Sequence, residues 1–378
     1  MTKRGLAKLP IDQFFHRHWQ KRPLLVRDAL PQFADLVRRK TLFDLAARDD
    51  LESRLVRHDR GKWRVSHGPF TRRELAGLPP SGWTLLVQGI DRVLPAAHDL
   101  LDWFRFIPRA RLDDVMVSYA PPGGGVGPHF DSYDVFLLQV QGVRRWRVSA
   151  QRDLSLVAGA PLRILRRFRA TREWVVRPGD LLYLPPRYAH DGVAVTNCMT
   201  CSIGFRAPGA QELGMKFLEF LQEELELPGI YKDPDLQRQR HPAELGDAML
   251  RKLRGLLDGL DWSDADVERF LGCYLSEPKA NVVFVRPHRP LARDGFSRRA
   301  ARDGVRLALP TRMLFRNGVF FINGETCEIP RGAARTLRRL ADEGRLLPGE
   351  IGGREAGRWL YQWYCTGYLQ LETRQNRR

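Results

Sequence analysis

One short segment in the middle of the chain carries side chains that could bind a transition metal. In Pro128-His129-Phe130-Asp131, His129 and Asp131 are two residues apart. Side chains two apart in a β-strand point to the same face, so this imidazole and this carboxylate can reach one point. His190, just after the predicted strand LLYLP, can supply a third ligand. Two histidines and one carboxylate form the facial triad of non-haem iron(II) oxygenases, and the three residues are therefore predicted to bind iron(II).

Three ligands on one face of an octahedron leave three positions open. A bidentate 2-oxo acid such as 2-oxoglutarate can take two of them and dioxygen the third. A lone His-x-Asp is a weak signal, but its surroundings strengthen it. Residues 123–127 form a glycine run, GGGVG, which lets backbone approach a ligand closely. The turn Pro178-Gly179-Asp180 then precedes the strand that leads to His190.

A 2-oxo dicarboxylic acid needs a cation for its distal carboxylate, and a planar guanidinium binds a carboxylate in two places. The chain has no lysine between Lys62 and Lys216. The anchor is therefore an arginine or a set of neutral donors. Arg144 and Arg145 follow the strand DVFLLQVQ at a predicted hairpin around Gly142 and Val143. Alternation directs one of these two arginines into the barrel and the other outward.

The elements that position these residues lie between Asp113 and Ala207. Short runs rich in Val, Leu, Tyr and Trp are separated there by Gly, Pro and Asp, a pattern typical of a sandwich or a barrel. Helical spacing in IDQFFHRHW predicts a helix near the start of the chain, and Thr71 with Glu74 predicts a capping box.

After Pro208 the pattern becomes helical. Three amphipathic segments follow, the third of them capped at Asp264, and their apolar faces must pack on the barrel or on a partner subunit. The basic segment 278–304 is predicted to be a linker. A small domain of strands and helices follows it, with a turn at Asn317-Gly318.

Composition narrows the function further. The 378 residues carry 62 basic and 44 acidic side chains, a formal net charge of +18. The positive electrostatic field of such a charge favours binding to polyanions such as ribosomal RNA. The alternative is that the charge only keeps the protein soluble. Five scattered cysteines argue against a disulfide scaffold. No stretch of 18 apolar residues and no apolar signal core is present, so the protein is expected in the cytoplasm and not in a membrane.

Several segments together resemble a known family. PGGGVGPHFDSYDVFLLQVQGVRRWRV, PGDLLYLPPRYAHDG and SIGFRAP, with HRHWQKRPLLVR near the N-terminus, are similar to the JmjC-type ribosomal oxygenases, above all to their bacterial arginine hydroxylases. The resemblance implies an α+β fold, a double-stranded β-helix (jelly-roll or cupin) barrel with flanking helices. It also implies three domains: the oxygenase at 1–210, a helical dimerisation region at 211–285 and a winged-helix-like module at 286–378.

The resemblance assigns roles to individual residues. His129, Asp131 and His190 match the iron ligands, and Arg144 matches the position that holds 2-oxoglutarate. The resemblance implies a serine beside this arginine, and Ala120 stands at that position. Either Ser118, Tyr119 or a water substitutes for it, or the affinity for 2-oxoglutarate is lower. Further residues are expected near the co-substrate or the substrate. Those for the co-substrate are Asn197 and Ser202; those for the substrate are Tyr133, Asp134 and Asp191.

The implied activity is hydroxylation of a peptidyl arginine at C3 in a large-subunit ribosomal protein, by a homodimer that uses iron(II), 2-oxoglutarate and dioxygen. Contact with ribosomal RNA is a further expectation. A JmjC-type histidine hydroxylase or lysine demethylase would share the iron site. A non-catalytic metal-binding cupin associated with the ribosome or RNA would suit the charge and the winged-helix-like end. Each of the enzymes would produce succinate from 2-oxoglutarate, whereas the non-catalytic cupin would not.

Overall fold

A computed structural model describes residues 10–59 and 61–372. The N-terminal part mixes short helices and strands. They are α1 (Ile11–Arg17), β1 (Leu24–Val26), α2 (Arg39–Ala46), β2 (Ser53–Asp59), β3 (Lys62–His67), α3 (Arg72–Ala76), β4 (Trp83–Val87) and α4 (Pro95–Leu101). The predicted helix near the start and the predicted capping box are both confirmed, the latter by reciprocal hydrogen bonds between Thr71 and Glu74 at the start of α3.

The middle of the chain forms the barrel. Its strands are β5 (Leu112–Ala120), β6 (Val135–Gln141), β7 (Arg144–Ser149), β8 (Arg172–Val176), β9 (Leu181–Leu184), β10 (Ala189–Ala194) and β11 (Cys198–Phe205). One sheet has the order β1-β9-β6-β11-β5-β4-β2-β3, and the opposite sheet has the order β10-β7-β8. Apolar side chains from the inner faces of both sheets pack between them, and a larger apolar cluster lies on the other face of the large sheet, against α1, α2 and α4. The predicted barrel with flanking helices is confirmed.

The predicted hairpin at Gly142-Val143 was wrong. β6 pairs with β9 and β11 in the large sheet, whereas β7 pairs with β8 and β10 in the small one. The two residues therefore carry the chain from one sheet to the other. Gly142 has a φ of +65°, and a Cβ there would lie 2.0 Å from the carbonyl oxygen of Asn197. This close approach requires glycine.

Three helices follow the barrel: α5 (Ala210–Glu224), α6 (Asp247–Leu257) and α7 (Asp264–Ser276). The cap of α7 is Ser263, which forms a capping box with Asp266, and not Asp264 as the sequence suggested. α7 packs on the C-terminal module, since a Cβ added to Gly272 would lie 2.4 Å from the ring of Phe321. The division at 285/286 remains a prediction.

The C-terminal module contains two small sheets and three helices. Its elements are α8 (Arg293–Asp303), β12 (Val305–Leu307), β13 (Met313–Arg316), β14 (Val319–Ile322), β15 (Glu325–Glu328), α9 (Arg331–Glu343), β16 (Arg345–Leu346), α10 (Arg354–Thr366) and β17 (Leu369–Leu371). The Asn317-Gly318 turn joins β13 to β14, as predicted. α8 contradicts the prediction that 278–304 is entirely linker. Only Phe296 and Ala300 of this basic helix are buried, which left little apolar periodicity to detect.

Among residues 10–59 and 61–372, no helix is both long enough and apolar enough to cross a bilayer.

Candidate active site

The three predicted metal ligands converge at one point inside the barrel. One ligand atom from each of His129, Asp131 and His190 lies within 4.8 Å of the others. Nε2 of His190 is 3.6 Å from Oδ2 of Asp131, and the two imidazole rings have their centroids 4.2 Å apart. This is the only such group of three or more His, Cys, Asp or Glu side chains in the described part of the chain. Two imidazoles and one carboxylate on one side of a point match the iron(II) facial triad.

Backbone hydrogen bonds hold the two histidines side by side. His129 and His190 exchange N–H to carbonyl bonds of 2.9 and 2.8 Å, as an isolated antiparallel bridge between the HxD segment and β10. The amide of Arg187, in the turn before β10, donates to the carbonyl of Asp131 at 2.7 Å. The triplet is therefore tied to the strand that carries the third ligand, and residues distant in sequence keep a fixed geometry.

The tautomer of each histidine leaves a nitrogen available for the metal. Nδ1 of His129 lies 2.8 Å from the carbonyl of Gly127, and Nδ1 of His190 lies 2.9 Å from the carbonyl of Tyr188. A carbonyl only accepts, so Nδ1 carries the proton in both rings and Nε2 keeps its lone pair. Burial, together with the neighbouring His129, lowers the pKa of His190 to about 4, so its ring is neutral at physiological pH. The residues present therefore fit a divalent iron ion.

The glycine run before the triplet serves close packing against protein rather than against a ligand. A Cβ on Gly125 would lie 2.7 Å from the carbonyl oxygen of Gly192 on β10, and one on Gly127 would lie 2.6 Å from the ring of Trp63. Gly127 also has a φ of +80°. These glycines let the segment cross close to β10 and β3, and so place His129 over the barrel.

A cavity of about 400 Å³ opens at the metal ligands. Its floor includes Arg144, whose side chain points inward while Arg145 is exposed, as alternation along β7 predicts. The Arg144 guanidinium donates to Ser118 Oγ at 3.1 Å and to Thr200 Oγ1 at 3.2 Å. It also lies over the ring of Trp146. Thr200 in turn donates to Gln139 at 2.9 Å, so a connected polar network fixes the arginine.

Arg144 has the properties of an anion anchor. Only 4% of its surface is exposed, its Nε has no hydrogen-bond partner, and no carboxylate among the described residues forms an ion pair with it. Desolvation lowers the pKa of this guanidinium from its ordinary value, so a bound anion would relieve an unfavourable burial. A carboxylate of a 2-oxo acid chelated at the metal would meet this requirement.

The structure also shows how the Ala120 position is compensated. Ala120 packs with Ala194 and Cys198 in a small apolar cluster, and the hydroxyl beside Arg144 comes from Ser118, two residues earlier on the same strand. Ser202 lines the cavity. Asn197 does not, since it is exposed in the turn between β10 and β11, and its expected place near the co-substrate was wrong.

Two of the three residues expected to touch the substrate belong to structural networks instead. Asp134 is fully buried, accepts from Tyr183 Oη at 2.6 Å and from Gln20 Nε2 at 2.9 Å, and does not line the cavity. Asp191 pairs with Arg147 at 2.5 Å across β10 and β7 and points away from the cavity that its neighbour His190 lines. Both expectations were wrong, because a position next to a ligand in sequence says nothing about the face that it occupies.

Tyr133 does line the cavity, where it is 41% exposed. Sequence reasoning missed Asp113, Asp114 and Met116, which lie at the start of β5 and border the same cavity. Alternation along DDVMVSYA could have drawn attention to Asp114, Met116 and Ser118, since residues two apart share a face. Thr200 was also missed, and only the pairing of β11 with β5 places it beside Ser118.

Comparisons with known proteins agree with this geometry. A model of the JmjC domain matches residues 99–213, and one of a ROXA-like winged helix matches residues 259–370. The chain is 36% identical over 324 residues to the Escherichia coli K12 ribosomal protein uL16 3-hydroxylase, covering 85% of this chain and 86% of that one. It is 35% identical over 270 residues to a probable ribosomal oxygenase of Haemophilus influenzae, covering 67% and 64% of the two chains. The chain belongs to the JmjC-type ribosomal oxygenases.

A solved structure supports the same assignment at the level of the fold. YcfD, a ribosomal oxygenase from E. coli in complex with cobalt and 2-oxoglutarate, superimposes with a TM-score of 0.83 at 32% identity, covering 97% of this chain and 99% of that one. The winged-helix character of the C-terminal module is therefore confirmed. This ribosomal oxygenase is a 2-oxoglutarate-dependent dioxygenase with iron(II) as its metal, and the non-catalytic reading is set aside.

Proposed function

We propose that this protein hydroxylates C3 of an arginine side chain in its cognate ribosomal protein uL16. The E. coli relative that is 36% identical is named a uL16 3-hydroxylase, and the two chains align over most of their lengths. The observation that carries the choice of arginine is a carboxylate in the cavity. Asp114 lines the cavity, and only 8% of its side chain is exposed, so a cationic side chain is the natural partner.

The atoms of Asp114 are suited to this role. Oδ2 accepts from Lys279, whereas Oδ1 has no hydrogen bond within the described residues and lies beside Gly204, which also lines the cavity. Met116 and Tyr133 supply apolar surface that can pack on the methylenes of an arginine. Burial and the nearby carboxylates raise the pKa of Tyr133, so its hydroxyl stays protonated and can donate or accept a hydrogen bond.

When bound, iron(II) with 2-oxoglutarate and dioxygen supplies oxidation of an unactivated C–H bond, coupled to conversion of 2-oxoglutarate into succinate and carbon dioxide. The protein supplies position. His129, Asp131 and His190 would hold the metal, and Arg144 would hold the distal carboxylate of the co-substrate. Asp114 would hold the guanidinium end of the arginine, so that one carbon of its stem faces the metal and others do not.

Mass spectrometry of a peptide tests this proposal. A uL16 fragment with the target arginine is incubated with the protein, iron(II), 2-oxoglutarate and air, beside a matched peptide with lysine in place of that arginine. We expect a gain of one oxygen atom on the arginine peptide only, and none with the His129→Ala variant. Succinate without peptide oxidation would contradict the proposed substrate. Oxidation of a histidine, or loss of a methyl group from a methylated lysine, would favour the activities of other JmjC-type enzymes.

We further propose that the protein is a homodimer through residues 211–285. α6 buries none of its residues, although it is strongly amphipathic. Exposed apolar side chains continue through this region: Met215, Leu218, Leu227, Ile230, Leu236, Leu245, Met249, Leu250, Leu253, Leu256, Leu257, Leu260 and Trp262. So many exposed large apolar side chains within one helical region are unusual on a monomer, and a second copy of the same helices would cover them.

The remaining proposals concern location and RNA. A cytoplasmic location is the first of these proposals, because an enzyme that modifies a ribosomal protein must meet it where ribosomal proteins are made. Contact with ribosomal RNA is supported by the net charge of +18 and by a row of exposed arginines on α9, namely Arg331, Arg335 and Arg338. Filter binding to a fragment of ribosomal RNA tests the second proposal. We expect weaker binding after all three are changed to glutamate, and equal binding by the variant would contradict it.

A further inference from the structure

A cluster of charges lies where β5 begins, at the border between the active-site cavity and the outside of the barrel. Asp113 and Asp114 both line the cavity. Lys279, in the segment between α7 and α8, reaches them from the other side. Its Nζ donates to Oδ2 of Asp114 at 2.8 Å and to Oδ2 of Asp113 at 3.2 Å. Lys279 lines an adjoining groove that shares Asp113 and Tyr133 with the cavity, but it does not line the cavity itself.

A third carboxylate makes this cluster unstable without cations. Asp91 is buried behind β5, where Oδ1 accepts from the amide of Val115 at 2.8 Å, and the charge of Asp114 acts on it. Arg206 and Arg312 form ion pairs with Asp113, with nitrogens 3.6 and 3.8 Å from its Oδ1, and the charge of Arg312 also acts on Asp91 and Asp114 at longer range. Lys279 is therefore the one cation among the described residues that forms an ion pair with Asp114.

We propose that Lys279 is a positioning residue that determines the specificity for a cationic side chain. It holds the Asp114 carboxylate by one oxygen and leaves the other oxygen for the guanidinium of the substrate. This inference rests on the proposed arginine hydroxylation and deepens it, because it assigns part of substrate recognition to a segment outside the barrel.

The chemistry of lysine suits the position. An ammonium group is a compact point charge that takes one oxygen from each of two carboxylates, whereas a guanidinium tends to bind both oxygens of one carboxylate. The second oxygen of Asp114 thus stays available beside Gly204. Without the charge of Lys279, Asp114 loses its ion-pair partner while the carboxylates of Asp91 and Asp113 remain close to it, and rotation of its side chain relieves the repulsion. That rotation would remove negative charge from the cavity.

The C-terminal module stabilises the same arrangement. Arg312, in the turn before β13, donates to the backbone carbonyl of Asp113. Ser276 Oγ, at the end of α7, accepts from the amide of Gly324 at 3.1 Å, and Gly324 packs against Glu277 just before Lys279. The segment that carries Lys279 is therefore held between the winged-helix module and the barrel, so the module contributes to the recognition of substrate at a site that it does not itself line.

Steady-state kinetics of three variants test this inference. Lys279→Met and Lys279→Gln remove the charge, and Lys279→Arg keeps it. Lys40→Met, on the exposed surface of α2, is the matched control. We expect the KM for the uL16 peptide to rise at least tenfold in the Met and Gln variants, with kcat and the KM for 2-oxoglutarate changed less than twofold. The Arg variant should recover most of the affinity for peptide, and the control should match wild type.

Other outcomes have distinct meanings. An unchanged or lowered KM for the peptide in both uncharged variants would overturn the role of Lys279, while wild-type activity on the same peptide would leave the proposed function standing. A fall in kcat for peptide together with a fall in peptide-independent succinate formation would show general damage, and would also contradict the inference. Wild-type protein without activity on the arginine peptide would instead contradict the proposed function itself.

Discussion

Arg144 donates to the hydroxyl of Ser118 at 3.1 Å, although the two residues lie on strands of different sheets. The bond crosses the interior of the barrel and meets β5 two residues before Ala120, the position at which the resemblance implied a serine. A hydroxyl therefore remains beside the guanidinium, two residues earlier on β5, where the side chain shares a face with the other cavity residues Met116 and Asp114.

The first prediction concerns this hydroxyl. Ser118→Ala removes one hydrogen bond from Arg144, worth about 1 kcal/mol, so the KM for 2-oxoglutarate should rise roughly fivefold. Arg144→Met should raise it far more, because it removes the buried guanidinium that Ser118 and Thr200 hold at the cavity. Succinate formation measures both. Ser149→Ala, on β7 and outside the cavity, is the control and should behave as wild type. Equal KM values for Ser118→Ala and wild type would show that Thr200 alone positions the guanidinium.

The second prediction concerns the metal ligands. His129→Ala and His190→Ala should each lose stoichiometric iron(II) and all hydroxylation, because two ligands do not define a facial triad. Metal content by elemental analysis, after dialysis, is the measurement. His67→Ala, exposed at the end of β3, should keep its iron. Retention of one iron per chain by His190→Ala would contradict the assigned ligand set.

The third prediction concerns pH and stability. Burial, with the nearby charge of Asp114, raises the pKa of Asp91 to about 6 from an ordinary value near 3.8. The folded state therefore prefers the protonated carboxyl, and this residue contributes an instability that is absent below about pH 4 and complete above about pH 6. Two pKa units correspond to about 3 kcal/mol.

Asp91→Asn should remove that cost while its amide oxygen still accepts from Val115. We expect the variant to melt a few degrees above wild type at pH 7.5 and at the same temperature at pH 4, as measured by calorimetry. Asp59→Asn, on an exposed part of β2, is the control. A difference between Asp91→Asn and wild type that does not change with pH would show that Asp91 is not the titrating group.

The fourth prediction concerns the proposed dimer. Leu253→Glu places a charge on the apolar face of α6, where Leu253 is 38% exposed and no residue of the helix is buried. In analytical ultracentrifugation at micromolar concentration, wild type should sediment as a dimer and the variant as a monomer. Arg254→Glu also adds a negative charge to α6, but at a position outside the apolar face, so this variant should remain dimeric. Wild-type protein that sediments only as a monomer would contradict the proposal.

The sequence by itself predicted the three candidate metal ligands and the class of fold. His129 and Asp131 share a face of an extended segment whatever surrounds them, because the alternation of side chains is a local property. Short apolar runs separated by turn residues favoured a barrel, and helical spacing predicted the amphipathic segments after Pro208, of which α5 is the first. Alternation likewise required one of Arg144 and Arg145 to face inward.

Only the tertiary structure decided which polar residues share the cavity. Sequence neighbours of the ligands, Asp134 and Asp191, belong to buried networks, whereas Asp114 lines the cavity. Thr200 lies beside Ser118 through the pairing of β11 with β5, and its hydroxyl accepts from Arg144. The sequence favoured a hairpin between β6 and β7, whereas strand pairing shows that the two strands belong to different sheets. Lys279 meets Asp114 across 165 residues of chain. Such contacts depend on how sheets and modules pack against one another, and no local pattern of residues encodes that packing.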